Sequence, residues 1–195
     1  MTVVKKVLYG TFAILLTFGI TNQVSTNSEE DLVAKITKIQ EDVTTAKLRQ
    51  EEQWMNQISC LARNVYYESR GESYEGQLAV AVVTLNRVKN SKFPNTICGV
   101  VNERKRAGGK LVCQFSWRCE GHTNPKKRIS QAHESYQAAM DAIFEYDYLT
   151  KELLTEDTLY FHAKHVKPRW RRHKQVLAKI DNHIFYKNKP GDKRR

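Results

Sequence analysis

Glu68 is the residue whose type and placement point most directly to chemistry. Ile58, Leu61 and Val65 recur at steps of three and four residues, the period of one helix face, and the next position on that stripe is Glu68. The spacing predicts a carboxylate on an otherwise apolar face, directly after Tyr66 and Tyr67. The helix is expected to end near Arg70, with Gly71 as its stop signal, so Glu68 falls in the last turn. Burial and the partial negative charge of a helix C-terminus both disfavour ionisation there and would raise its pKa. A carboxylic acid held protonated near neutral pH can donate a proton to an alkoxide leaving group, as cleavage of a glycosidic bond requires. The structural alternative is a glutamate paired with Arg63 or Arg70, or turned to solvent. Glycoside hydrolysis ordinarily uses two acids, yet Glu72 and Glu75 lie beyond Gly71 and read as surface or structural groups. With one acid/base, a different route is open. The sugar's own 6-hydroxyl attacks the anomeric carbon and leaves an anhydro-sugar.

The elements that must position this acid follow from periodicity. Met55, Ile58, Leu61, Ala62 and Val65 define a helix from about Glu51. Residues 74–88 form a second helical run in which Leu78–Val83 is wholly apolar, predicting burial on most sides. Residues 90–129 carry no clear period but contain Pro94, Pro125, four glycines and three of the four cysteines. A structureless loop of that length is unusual in a domain, so short helices are expected to interrupt it. Ser130 is expected to cap a helix with Ala132, Tyr136, Ala139, Met140 and Ile143 on one face. Thr158–Ala163 then reads as a strand, and Val176–Ile180 and His183–Tyr186 as a hairpin about Asp181–Asn182. The expected fold class is α+β: a mostly helical domain with a small antiparallel sheet near the C-terminus.

The chain of 195 residues suits one globular domain. Two lysines, Lys5 and Lys6, precede 14 residues without charge, the pattern of an export signal. That run is short for a full membrane span. Residues 1–28 are read as a signal peptide or a signal anchor, with a buried helix as the alternative. Residues 29–53 are charged, with Leu32, Val33, Ile36, Ile39 and Val43 at helical spacing. They read as a helical arm that packs on the domain or pairs with a copy of itself. The domain is placed at 54–187 and a basic tail at 188–195, and a monomer is expected. An exported chain would pair some or all of Cys60, Cys98, Cys113 and Cys119, in any of three ways if all four pair. A zinc set of Cys98, Cys113, Cys119 and His122 lacks the close cysteine pair of a structural site, and His162 with His165 gives only two ligands. No metal or other cofactor is expected.

The formal net charge is +11, and residues 160–195 hold 12 Lys/Arg against 2 Asp/Glu. That excess favours an anionic partner. Nucleic acid is one candidate, supported by Trp170, Phe185 and Tyr186 near basic residues. The export segment and the absence of a basic stripe on the main helices argue against it. A non-catalytic wall-binding protein is a further alternative.

Several blocks together carry a family resemblance. CLARNVYYESRGESYEGQLAVAVVTLNRVKNSKFPNTICGVV (60–101), CQFSWRCEG (113–121), LYFHAKHVKPRW (159–170) and HIFY (183–186) resemble, in that order, the cell-wall hydrolase family of spore cortex-lytic enzymes. The resemblance covers about 57–186. It implies a lysozyme-like helical core, likeness to lytic transglycosylases, and cleavage between N-acetylmuramic acid and N-acetylglucosamine. It also makes Glu68, which opens the ESRGE block, the catalytic acid/base, with Ser69 completing a Glu-Ser pair. Gln114, Ser116 and Trp117, in the second block, are expected to line a glycan groove. Trp117 would offer an apolar face to a sugar and Gln114 hydrogen bonds, with a core role the alternative for Trp117. Tyr160 and His162 share one face of a strand and are expected to face the site. Trp170 is a wall-contact platform or a buried anchor, and His183 has no assigned role. Unlike spore members of the family, this sequence has an apolar segment and an arm in place of an N-terminal peptidoglycan-binding repeat domain. That is compatible with a phage lysis enzyme or a membrane-held wall-remodelling enzyme, exported to the periplasm or cell wall. Its partners are then peptidoglycan glycan strands and, through the basic C-terminus, an anionic wall or membrane surface. A hydrolytic muramidase and an N-acetylmuramoyl-L-alanine amidase are the alternatives within the enzyme class.

Overall fold

In the computed structural model, residues 2–120 and 129–192 are described, with side chains from residue 29 onward except at 107 and 129–131. The chain divides into two compact units, residues 1–52 and 53–195. The expected export signal falls where side chains lie outside this description, and His122 lies outside it altogether. Among the described residues, no helix is long and apolar enough to cross a membrane.

The first helix, α1, runs Thr2–Ser69. In the first unit its surface carries local ties: Lys35 pairs with Asp31 at 2.6 Å one turn away, and the Thr37 and Thr44 hydroxyls donate to the carbonyls of Val33 and Gln40. In the second unit its last turns bury Ile58, Leu61 and Val65, the expected stripe.

The core of the second unit is α2 (Tyr74–Lys89). Ser73 caps it by accepting from the Gly76 N–H, Glu75 sits in its first turn, and Arg87 and Lys89 in its last. Ala79 to Val83 are fully buried, which explains why β-branched residues are tolerated. Packing on all sides outweighs a propensity penalty of a few tenths of a kcal/mol per residue. α2 packs against α3 (Ile97–Val101), α4 (Ile129–Phe144), α5 (Tyr146–Glu152) and β3 (Thr158–Ala163). Helix α4 begins at Ile129, so Ser130 falls inside its first turn rather than ahead of it. Its buried face is Ser135, Ala138, Ala139 and Ala142, a small-residue surface, and Ser135 donates to Gln77 across the contact.

The expected irregular stretch 90–129 holds α3, a hairpin and a 3-10 turn. The hairpin pairs β1 (Arg104–Ala107) with β2 (Lys110–Cys113). Gly108 and Gly109 turn it with φ of +57° and +78°, a conformation open to glycine. Sequence patterning missed it because β1 is basic and β2 short and largely exposed, and neither alternates apolar with polar residues. Two disulfides brace this region: Cys60–Cys98 joins α1 to α3, and Cys113–Cys119 closes a short loop.

The second sheet is antiparallel with order β3-β5-β4, where β4 is Lys174–Ile180 and β5 His183–Asn188. Its turn is Asp181–Asn182, with Asp181 at φ +45°. Two anchors fix the sheet. The C-terminal end of α2 grips β3: Asn86 donates to the carbonyls of Thr155 and Thr158, and Arg87 to that of Leu159 at 2.9 Å. The hairpin tip is tied to the α1–α2 connection. Ser73 donates to the Asp181 carboxylate from both N–H and hydroxyl at 2.8 and 2.6 Å, and the Asn182 N–H donates to Glu72 at 2.9 Å. A side chain at Gly76 would overlap the Asp181 carboxylate, so this closure requires glycine there.

Candidate active site

Glu68 lies one residue from the end of α1, on the wall of a cavity of about 530 Å³. The volume suits a site for a few sugar rings or a similarly sized ligand. Gln114, Ser116, Trp117, Tyr160 and His162 line the same cavity, so five of the six expected substrate-binding residues meet at Glu68. Ser69 is turned inward instead. It is 2% exposed and its hydroxyl donates to the Val65 carbonyl, closing the last turn that carries Glu68.

Burial pushes the Glu68 carboxyl up to about 7. The Arg87 guanidinium opposes this shift, and the charge of Glu120 adds to it. Both residues also line the cavity, and neither was singled out from sequence. Arg87 sits on α2 in a run that read as core. It is held beneath three rings, with its guanidinium 5.2 Å from Phe115, 5.5 Å from Phe93 and 5.9 Å from Phe161. Glu120 follows the Cys113–Cys119 loop and lines the same cavity as Glu68.

These electrostatics give a first prediction. A general acid at Glu68 would work in its protonated form, so kcat/KM would fall as pH rises through about 7. Arg87→Met removes the cation that favours ionisation and moves that alkaline limb to higher pH. Glu120→Gln removes a like charge and moves it lower. Initial rates on soluble glycan fragments across pH 5–9 check this, and equal limbs in all three proteins would refute the coupling.

Two aromatic groups stand at the cavity, reaching its wall through Tyr67, Trp117, Tyr160, His162 and Trp170. Tyr67 stacks on Trp117 with centroids 4.5 Å apart and planes 20° apart. Trp117 is itself 4% exposed, and its indole N–H donates to Asn64, which donates onward to Thr84. Trp117 thus serves chiefly as a buried backing for Tyr67. The second group is Tyr160, His162, Trp170 and Tyr186, with His162 stacked on Tyr186 at 5.2 Å and Trp170 edge-on to both. The Ala163 carbonyl can only accept, so His162 Nδ1 donates to it at 2.9 Å, while Nε2 is hydrogen-bonded to the Tyr186 hydroxyl at 2.8 Å.

His183 also lines the cavity, 3.9 Å from Glu72. Burial holds its imidazole below its ordinary pKa, against the pull of Glu72 and Asp181. All four cysteines are in disulfides, which removes the thiolates from the candidate zinc set. Among the described residues, no three His, Cys, Asp or Glu side chains converge as metal ligands.

Comparison with known proteins completes the description. A family model described as Cell Wall Hydrolase matches residues 71–186. The spore cortex-lytic enzyme of Bacillus cereus is 34% identical over 132 residues, covering 68% of this chain and 44% of that protein. The chain thus spans less than half the length of that curated relative. Two solved structures are similar over 68% of the chain, each with a TM-score of 0.52. One is the catalytic domain of the Bacillus cereus SleB protein, 33% identical and covered over 91% of its length. The other is the catalytic domain of the germination-specific lytic transglycosylase SleB from Bacillus anthracis, 34% identical and covered over 94%.

Proposed function

This chain belongs to the cell-wall hydrolase family that includes the spore cortex-lytic enzymes, and from that premise we propose that it cleaves peptidoglycan glycan strands between N-acetylmuramic acid and N-acetylglucosamine, with Glu68 as the acid/base of a lytic transglycosylase. The observation that carries this reading is a carboxyl raised to about 7 on the wall of a cavity flanked by two aromatic groups. The family-model match begins at Gly71, so the role of Glu68 rests on this geometry and on the sequence block around it.

In the proposed reaction, the protonated Glu68 carboxyl donates to the glycosidic oxygen as the bond from the muramic C1 breaks, and N-acetylglucosamine leaves as an alcohol. Positive charge develops at C1 and the ring oxygen. The Glu68 carboxylate then takes the proton of the muramic 6-hydroxyl as O6 bonds to C1. A 1,6-anhydro ring forms, Glu68 is protonated again, and no water is consumed. A pKa near neutrality suits a group that must both give and take a proton in one cycle.

The presence of Glu120 on the same cavity supports a second reading, hydrolysis by two carboxyls, with Glu120 activating water. Digestion of purified peptidoglycan by the wild type, Glu68→Gln and Glu120→Gln, followed by mass analysis, separates the two. Anhydro-muramic ends that persist in Glu120→Gln support the lytic route. Reducing muramic ends, lost in Glu120→Gln, establish hydrolysis, and released free peptides would mean an amidase. Unchanged cleavage by Glu68→Gln overturns both carboxyl mechanisms.

The basic segment between β3 and β4 extends the reading to wall binding. Lys164, Lys167, Arg169 and Arg172 are exposed there, and Val166 and Trp170 of the same segment line the cavity. Charge on this segment would hold the enzyme on an anionic wall or membrane surface close to the site of cleavage. The relatives' spore-cortex role and the N-terminal apolar segment together support an exported enzyme.

A further inference from the structure

We infer that the N-terminal arm is a dimerisation element that pairs in parallel with the same segment of a second copy of this chain. The arm lies outside the stretch matched by the family model. Every residue from 29 to 52 is exposed on the helix. Leu32, Ile36, Ile39 and Val43 form one line on it, with 58%, 47%, 61% and 62% of their surfaces open. A helix that leaves such a line uncovered gains no packing energy from it, and helical stability in water comes mostly from packing.

The spacing selects the kind of partner. Leu32, Ile39 and Ala46 take the d positions of a heptad and Ile36 and Val43 the a positions. β-branched Ile36 and Val43 at a with Leu32 at d fit a two-stranded parallel coil, Ile39 at d does not select it, and the g-to-e charges fix the parallel register. The seam from Leu32 to Ala46 is 15 residues, about 22 Å of helix. Charge then separates a protein partner from a lipid surface. Residues 26–53 hold 7 Asp/Glu against 4 Lys/Arg, a polar face repelled by anionic lipid, whereas membrane-surface helices are rich in Lys and Arg. In a parallel pair, Asp42 at g meets Lys47 at e of the other copy, and symmetry makes that attraction twice. The other g-to-e contact within the seam, Lys35 with Gln40, carries no like charges. The monomer expected from the sequence gives way to a dimer joined through the arm.

Sedimentation equilibrium of the full chain in a density-matched detergent tests this. The wild type should show twice the 22.6 kDa chain mass. Asp42→Lys and Lys47→Asp should each weaken association about tenfold, and the double exchange should restore it, since only the pairing between chains is rebuilt. Ile36→Asp/Ile39→Asp should sediment as a monomer. A monomeric wild type, a trimer, or a dimer indifferent to the charge exchanges overturns the proposal. So does a monomer that binds vesicles of neutral lipid through the Ile36/Ile39 face.

Discussion

Glu68→Gln should lose cleavage of peptidoglycan by about 10³–10⁴-fold while becoming more stable than the wild type above neutral pH. The two effects share one cause. The cavity holds the carboxyl near 7, against an ordinary value of 4.5, because burial penalises its charge. Glutamine keeps the shape and removes the proton, so the loss falls on proton transfer in both steps of the proposed cycle. The sign of the stability effect follows from linkage. The folded pKa is raised, so the stability associated with protonated Glu68 is fully present below 4.5 and is lost as pH rises through about 7. Glutamine has nothing to ionise and escapes that loss, a gain of at most about 3 kcal/mol at pH 8. Release of soluble muropeptides measures the first effect. Denaturant unfolding of both proteins at pH 4 and pH 8 measures the second, with the difference expected only at pH 8. A variant that is inactive but no more stable at pH 8 would mean that Glu68 is not held protonated.

The two disulfides should separate stability from activity. Cys60–Cys98 spans 38 residues and closes a large loop of the core. Replacing both with alanine should cost about 4 kcal/mol, lowering the melting temperature of the 53–195 unit by about 10–15 °C with little change in kcat near room temperature. Cys113–Cys119 spans 6 residues and constrains the unfolded chain less, by about 2 kcal/mol. Within its loop lie Gln114, Phe115, Ser116 and Trp117, all on the cavity wall, and Glu120 follows it. Its removal should lower kcat by about 10–100-fold, because groups misplaced by an ångström at a reacting centre lose about that much. Thermal unfolding and initial rates, measured on both double variants, decide the matter. The assignment fails if the Cys60/Cys98 variant is the one that loses activity at a temperature where it remains folded.

Periodic signals located elements better than faces: the face expected for α4 held Ala132, Tyr136, Ala139, Met140 and Ile143, whereas its buried residues are Ser135, Ala138, Ala139 and Ala142. The Ile58–Leu61–Val65–Glu68 stripe is a helix face in the structure, β3 has the expected limits, and the hairpin turns at Asp181–Asn182. What lay beyond reach depends on contacts distant in the chain. Arg87 lay within a run that read as core, and only the folded chain brings it to the cavity beside Glu68. Glu120 arrives through a disulfide whose pairing spacing could not choose. Glu72 read as a surface or structural acid, and its part is structural: it holds the hairpin tip through Asn182 and stands 3.9 Å from His183. The β1–β2 hairpin lacked the alternation that marks a strand. Ser69 was assigned through its neighbour, but its short side chain finds the Val65 carbonyl one turn back, a local bond that outcompetes any reach into the cavity.

The closure at Gly76 has a consequence for the order of assembly. Ser73 meets Asp181 across 108 positions, and Glu72 meets Asn182 across 110. Contacts of such separation form only after a long stretch of chain has been made and its loop entropy overcome. Glu68 is made about 94 residues before His162 and about 115 before His183, both on the wall of its cavity. A nascent chain therefore holds the acid before the walls around it, and on the proposed reading competence waits for the closing of the sheet.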